Sequence, residues 1–139
     1  MKKQIQEKTV QYFSSGFHCA ESIAKAILEQ YDENFDPQSI KAASAFLGGI
    51  GKSHQDVCGA LTGGLVALGV LYGRSDASKS NEALAAMAAQ FRTVFIEELG
   101  STNCAQLIKN KIDPTPDYTC IQLTRDAAGL LADILEDSH

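Results

Sequence analysis

Residues 57–72, VCGALTGGLVALGVLY, form the longest uncharged apolar run of the chain. The run is too short to cross a bilayer comfortably, and Gly and Thr interrupt it. It therefore predicts a buried helix, with Asp56 as its N-cap and Gly73 just past its end. We expect this Gly-rich apolar helix to lie at the centre of the fold.

Helical periodicity continues on both sides of this segment. Apolar residues recur at i, i+3, i+4 and i+7, most clearly after Cys19, before Gly100 and after Cys120. Asp36 followed by Pro37 is typical of an N-cap and a first helical position. No segment alternates with period two, so the sequence predicts an all-α, single-domain bundle of five to seven helices over residues 1–139. The predicted helices cover residues 3–14, 19–31, 36–48, 57–72, 81–99, 104–109 and 120–135, with a loop over 109–119.

The composition restricts the class of protein. A chain of 139 residues with 45% hydrophobic content is large enough to bury one core without metal or disulfide staples. Its net charge of -5 disfavours nucleic acid and anionic membranes as partners. The N-terminus lacks the apolar stretch of a signal peptide, which predicts a cytoplasmic protein without membrane insertion. Cytosolic thiols are held reduced, so its cysteines are expected as thiols or metal ligands rather than disulfides.

Four cysteines share one predicted structural context. Cys19, Cys104 and Cys120 each begin a predicted helix, and Cys58 falls in the first turn of another. A thiol at a helix start lies beside unpaired backbone N–H groups and the positive end of the helix dipole, which stabilise a thiolate. Inert core cysteines are the alternative, but they should scatter along helical faces. Three of these cysteines directly follow a candidate N-cap residue, and Glu or Gln stands three positions after that N-cap, as in a capping box: His18 with Glu21, Asn103 with Gln106 and Thr119 with Gln122.

The chain resembles a known family through these cysteine segments. The stretches GFHCAESI, FLGGIGKSHQDVCGALTGGLVALGVLYGR and ELGSTNCAQLI, followed by Cys120, are similar to the C-GCAxxG-C-C family of proteins described as redox-active. The family's C-G-A-x-x-G element corresponds to residues 58–63. The resemblance implies that Cys19, Cys58, Cys104 and Cys120 are the family's four cysteines, and that Gly49, Gly51, Gly59 and Gly63 belong to its glycine-rich core element. Relatives tend to have Asn where this chain has His18.

The glycine-rich string GGIGKS, residues 48–53, does not form a phosphate-binding loop, because Phe46 stands where that motif needs Gly and a helix precedes it. Its glycines could let backbone N–H groups approach a cysteine-bound cluster and tune it. His18 and His54, close in sequence to Cys19 and Cys58, are alternative ligands or proton carriers.

Three functions remain open from the sequence. The first is a redox or electron-transfer protein in which the four thiolates bind an iron–sulfur cluster, with zinc as the competing metal. The second is a cofactor-free thiol–disulfide oxidoreductase, and the third is a helical interaction module with inert cysteines. The redox partner would be a protein or a small-molecule couple, and a homodimer is an alternative to a monomer.

Overall fold

The structure is a computed structural model, and it describes residues 1–138. This part of the chain contains seven α-helices, one 3-10 turn, one π-helical turn and no named strand. The prediction of an all-α fold with five to seven helices is therefore confirmed. The elements are α1 (Lys2–Ser14), α2 (Cys19–Tyr31), α3 (Gln38–Lys41), a 3-10 turn (Ser44–Phe46), α4 (Gly59–Tyr72), α5 (Glu82–Leu99), α6 (Cys104–Leu107), a π turn (Ile108–Ile112) and α7 (Cys120–Ser138).

The amphipathic helices bury the faces that their periodicity predicts. Helix α5 turns Phe91 and Phe95 inward, both with no exposed surface, and their rings meet edge to face at 5.9 Å. Gly100 ends that helix in the left-handed conformation, with φ of 103°. Helices α2 and α7 bury Ile27 and Leu131 completely. These buried faces form one shared hydrophobic core.

The helix predicted over residues 36–48 is wrong in extent. The carboxylate of Asp36 does accept the backbone N–H of Gln38 at 2.9 Å, so the predicted start is nearly right. However, α3 ends at Lys41, because the chain then changes to i→i+3 hydrogen bonds, such as Phe46 N to Ala43 O at 3.1 Å. This tighter winding keeps Ala43 fully buried while the chain turns toward the glycine-rich loop.

Helix α4 begins later than predicted, and Asp56 is not its N-cap. The carbonyl of Asp56 instead accepts the N–H of Cys104 at 2.8 Å, in a short antiparallel bridge between Val57 and Asn103. Cys58 is the N-cap residue of α4, so its predicted place in the first turn is also corrected. The bridge holds residues 56–58 extended, which prevents the helix from starting there.

The end of the predicted sixth helix also differs. Helix α6 spans a single turn, and the chain continues as a π turn in which Asp113 N donates to Ile108 O at 2.8 Å. The loop predicted from residue 109 therefore begins only after Ile112.

The helices pack as neighbours in a bundle. Helix α1 lies against α2 and α7, α2 lies against α4, and α5 covers α4 and α7. Within residues 1–138, none of the helices has the length and apolar character that a bilayer crossing demands.

Candidate functional site: a four-cysteine cavity

All four cysteines line one small cavity, which we call the cysteine cavity. Its volume is about 40 Å³, enough for a bound water but not for a drug-sized molecule. Three of the thiols are buried and Cys120 is exposed, and all four are free of disulfides. The remaining walls come mainly from apolar side chains of the α6–π segment and α7, together with two glycines and His54. The fold thus brings together cysteines from distant parts of the sequence: Cys19, Cys58, Cys104 and Cys120.

Backbone pairing joins two of the cysteine segments directly. Cys58 N donates to Thr102 O at 2.7 Å, and Cys104 N donates to Asp56 O at 2.8 Å. The Asn103 side chain adds a bond from Nδ2 to Gln55 O at 2.8 Å. These bonds fix the beginnings of α4 and α6 beside each other, which places their cysteines at the same cavity.

The predicted capping boxes at the three helix beginnings form to different extents. Glu21 Oε1 accepts the backbone N–H of His18 at 3.1 Å, and Gln122 Oε1 accepts that of Thr119 at 2.8 Å. At α6 the opposite half is present, since Asn103 Oδ1 accepts the backbone N–H of Gln106 at 3.0 Å. These contacts fix the helix beginnings that carry Cys19, Cys120 and Cys104.

Burial opposes ionisation of the thiols. Desolvation raises the pKa of the Cys58 thiol to about 12, although backbone N–H groups of Ala60 and Leu61 act in the opposite direction. Burial also raises the pKa of Cys19, Cys104 and Cys120. Helix-start N–H groups therefore favour the thiolate of Cys58 as the sequence suggests, but the loss of water outweighs them in the metal-free protein.

Two glycines make room for the cysteines. A Cβ at Gly59 would overlap Cys19 Sγ, and one at Gly49 would lie 2.8 Å from Cys104 Cβ. The other two glycines that the resemblance implies lie elsewhere. Gly63 faces the backbone of Ala20 on α2, and nothing lies within 4 Å of a Cβ built at Gly51.

The loop over residues 48–54 has an unusual backbone. Besides its glycines, Ile50, Lys52 and His54 adopt positive φ of 70°, 63° and 58°. Left-handed conformations cost non-glycine residues roughly 1–2 kcal/mol each. The loop brings Gly48 N to 3.5 Å from Cys19 Sγ, as a donor, and His54 Nδ1 to 3.6 Å from Cys104 Sγ. The strained loop thus places polar groups beside two of the four sulfur atoms.

Sequence reasoning missed the apolar wall of the cavity, and it anticipated Gly48 only as one of the glycines of GGIGKS. The wall includes Leu107, Ile112 and Leu123. Leu107 and Leu123 are part of ordinary helical periodicity, which carries no mark of a site, and Ile112 lies in a stretch predicted as loop. The position of Gly48 in GGIGKS was a usable signal, because a glycine-rich string was expected to bring N–H groups toward sulfur.

The thiols do not form a preassembled ligand set. Within residues 1–138, no three His, Cys, Asp or Glu side chains are positioned together to hold a metal ion. The four cysteines share a cavity but do not form such a group.

Comparison with known proteins identifies the family of the chain. The profile of the C_GCAxxG_C_C family, described as "Putative redox-active protein (C_GCAxxG_C_C)", matches residues 17–134. No curated protein and no solved structure matches the chain. The match includes all four cysteines and the whole cysteine cavity, and the chain therefore belongs to the C_GCAxxG_C_C family.

Proposed function

We propose that the protein is a redox protein that holds an iron–sulfur cluster through Cys19, Cys58, Cys104 and Cys120. One observation carries the proposal: four cysteines from four helix beginnings line one cavity of about 40 Å³. Four cysteine thiolates are the usual ligands of such clusters. The family's description as redox-active supports the same class of function.

The cavity supplies the type of donor that such a group uses, and the thiols would have to turn toward the group on binding. Gly59 and Gly49 let Cys19 and Cys104 lie at the cavity, because a side chain at either position would overlap them. The thiol of cysteine turns about a single side-chain torsion, so the four sulfurs can be redirected toward a common centre when metal binds. Loading would also displace the thiol protons, because ligating sulfur is deprotonated.

Redox function favours a cluster over zinc. Zinc has no redox chemistry, and four thiolates around it would make the site structural. A cluster would supply one-electron transfer, with a potential set by hydrogen bonds to sulfur and by burial. The chain itself provides both: Gly48 N–H lies against Cys19 Sγ, three of the four thiols are buried, and Leu107 and Leu123 line the cavity.

A cofactor-free thiol–disulfide oxidoreductase is the second candidate. Exposed Cys120 and buried Cys19 line the same cavity, as an attacking and a resolving thiol would. An attacking thiol needs a lowered pKa, whereas burial raises the pKa of Cys120. Because the pKa of Cys120 is raised and not lowered, we favour the iron–sulfur protein over the thiol–disulfide oxidoreductase.

The proposal is tested by purifying the protein without oxygen and measuring its absorption spectrum together with iron, sulfide and zinc. We expect a brown protein with iron and sulfide, and reduced cluster content in each of the four Cys→Ala variants. Zinc without iron would contradict the cluster and indicate a structural metal. Reversible formation of one disulfide without bound metal would favour the second candidate. If replacing all four cysteines with alanine changes neither the metal content, the redox response nor the stability, the cysteines are inert.

A further inference from the structure

A second cavity adjoins the cysteine cavity and opens beside Cys19 and Cys120. We call it the basic mouth, and its volume is about 220 Å³. It shares Gly48 and His54 with the cysteine cavity, so a molecule bound in it would lie next to the thiols. The volume is below the range of about 300–1,000 Å³ for drug-sized ligands, which restricts the occupant to a small molecule.

The lining of the mouth combines basic and apolar groups. Lys52, His18 and His54 are its ionisable non-cysteine residues, and Phe13 and Leu47 supply apolar surface. Among residues 1–138, no carboxylate lines the mouth and no ion pair uses Lys52. Within that part of the chain, Lys52 is thus an unpaired charge in an otherwise largely apolar lining, in a chain whose net charge is -5.

Glu21, which contacts the lining residue His18, is already engaged. Glu21 lies 3.5 Å from His18 Nδ1, and it also accepts the backbone N–H of His18 and the hydroxyl of Ser44. Among the residues that the structure describes, the partners of Glu21 are therefore His18 and Ser44, and Lys52 is not among them.

The backbone of the 48–54 loop holds Lys52 in an uncommon conformation. Lys52 has φ of 63°, and its N–H donates to Leu47 O at 3.0 Å. Gly51 N and His54 N make similar bonds to Ala45 O and Gly48 O. Backbone strain of this kind persists where the surroundings enforce it, and it concentrates at functional sites.

We propose that the basic mouth binds a small organic anion with an apolar body, beside Cys19 and Cys120. Lys52 would pair with the anionic group, and Phe13 and Leu47 would cover the apolar part. The idea that this anion is a small-molecule electron donor or acceptor rests on the proposed function. Anion binding itself can be measured whether or not the protein holds a cluster.

The test uses para-fluorobenzoate as the probe and fluorine NMR line broadening as the measurement, on the protein as purified. Its neutral comparator is para-fluorobenzyl alcohol, which has the same ring without the charge. We expect the benzoate to bind more tightly than the alcohol. Lys52→Gln should weaken benzoate binding about five-fold, in line with a partly exposed ion pair, while Lys52→Arg should retain it.

Lys3→Gln is the matched control, because Lys3 is an exposed lysine on α1 outside the mouth. It should leave benzoate binding unchanged. Equal binding of benzoate and alcohol, or an equal effect of Lys3→Gln and Lys52→Gln, would overturn the proposal. Iron and sulfide content, measured on the same samples, reports on the cluster separately, so the two proposals can fail independently.

Discussion

The two ends of the Gly59–Gly63 segment of α4 show two different uses of glycine. At Gly63, a side chain would collide with the backbone of Ala20, so this glycine allows α2 and α4 to pack closely. At Gly59, one turn earlier, a side chain would collide with Cys19 Sγ and lie 2.9 Å from Phe46 O. The first glycine makes room for a helix, and the second makes room for a thiol.

The two glycines differ in whether the group that an added side chain would meet is able to move. The Ala20 backbone is part of a buried helix and cannot retreat without separating α2 from α4. The Cys19 thiol can rotate away from an added methyl group, although the Phe46 carbonyl must then shift slightly. Substitutions at the two positions should therefore separate stability from the chemistry of the cysteine cavity.

Gly63→Ala should have the largest effect on folding. Because its Cβ would overlap the Ala20 backbone, we expect the free energy of unfolding in urea to fall by about 3 kcal/mol, the upper end for overpacking. Unchanged stability would show that the α2–α4 contact can widen to accept a methyl group.

The cysteine cavity should also respond to pH in a way that the α2–α4 contact does not. In reduced, metal-free protein, the folded state holds the Cys58 proton up to a pKa of about 12, while the unfolded state releases it near the ordinary value of 9.0. Stability should therefore be full below pH 9 and fall above it, by up to about 1.4 kcal/mol per pH unit for this one proton.

Urea titrations of the wild type and Cys58→Ala between pH 8 and the onset of alkaline unfolding, roughly pH 11, measure this loss. The variant should show a shallower decline, because it lacks the Cys58 proton. Some decline should remain, because tyrosines and the other thiols also ionise. Parallel declines would mean that Cys58 ionises as readily in the folded state as in the unfolded state.

Gly59→Ala should act mainly on the site. We expect a loss of about 1–2 kcal/mol in stability, smaller than for Gly63→Ala, because the main obstacle is a rotatable thiol. Metal content after anaerobic purification should fall, since Cys19 would be turned from the cavity. A variant that keeps its full metal content would place Cys19 outside the ligand set.

Gly69→Ala provides the matched control on the same helix. Nothing lies within 4 Å of a Cβ at Gly69, so the alanine should stabilise α4 by about 0.8 kcal/mol through its higher helix propensity. Metal content should not change. A destabilised Gly69→Ala variant would show that alanine harms α4 in general, which would weaken the interpretation of the other two substitutions.

Sequence reasoning succeeded where local physics decides the structure. The periodic faces of α2, α5 and α7 and the glycine after α5 were predicted correctly, because burial at helical spacing and left-handed ends leave local marks. It failed at α3 and at the start of α4. The start of α4 depends on the bridge of Val57 to Asn103, which joins residues far apart in the sequence. The end of α3 depends on a 3-10 turn, which winds more tightly than an α-helix.

The sequence by itself determined that the chain is all-helical and that four cysteines stand at helix beginnings, since both depend on residues within a turn or two of one another. Only the tertiary structure decided that these beginnings meet at one cavity, that Gly59 faces a thiol while Gly63 faces a helix, and that Lys52 stands at the entrance. The physical reason is that packing between distant segments selects one arrangement of helices, and periodicity within a segment does not encode its neighbours.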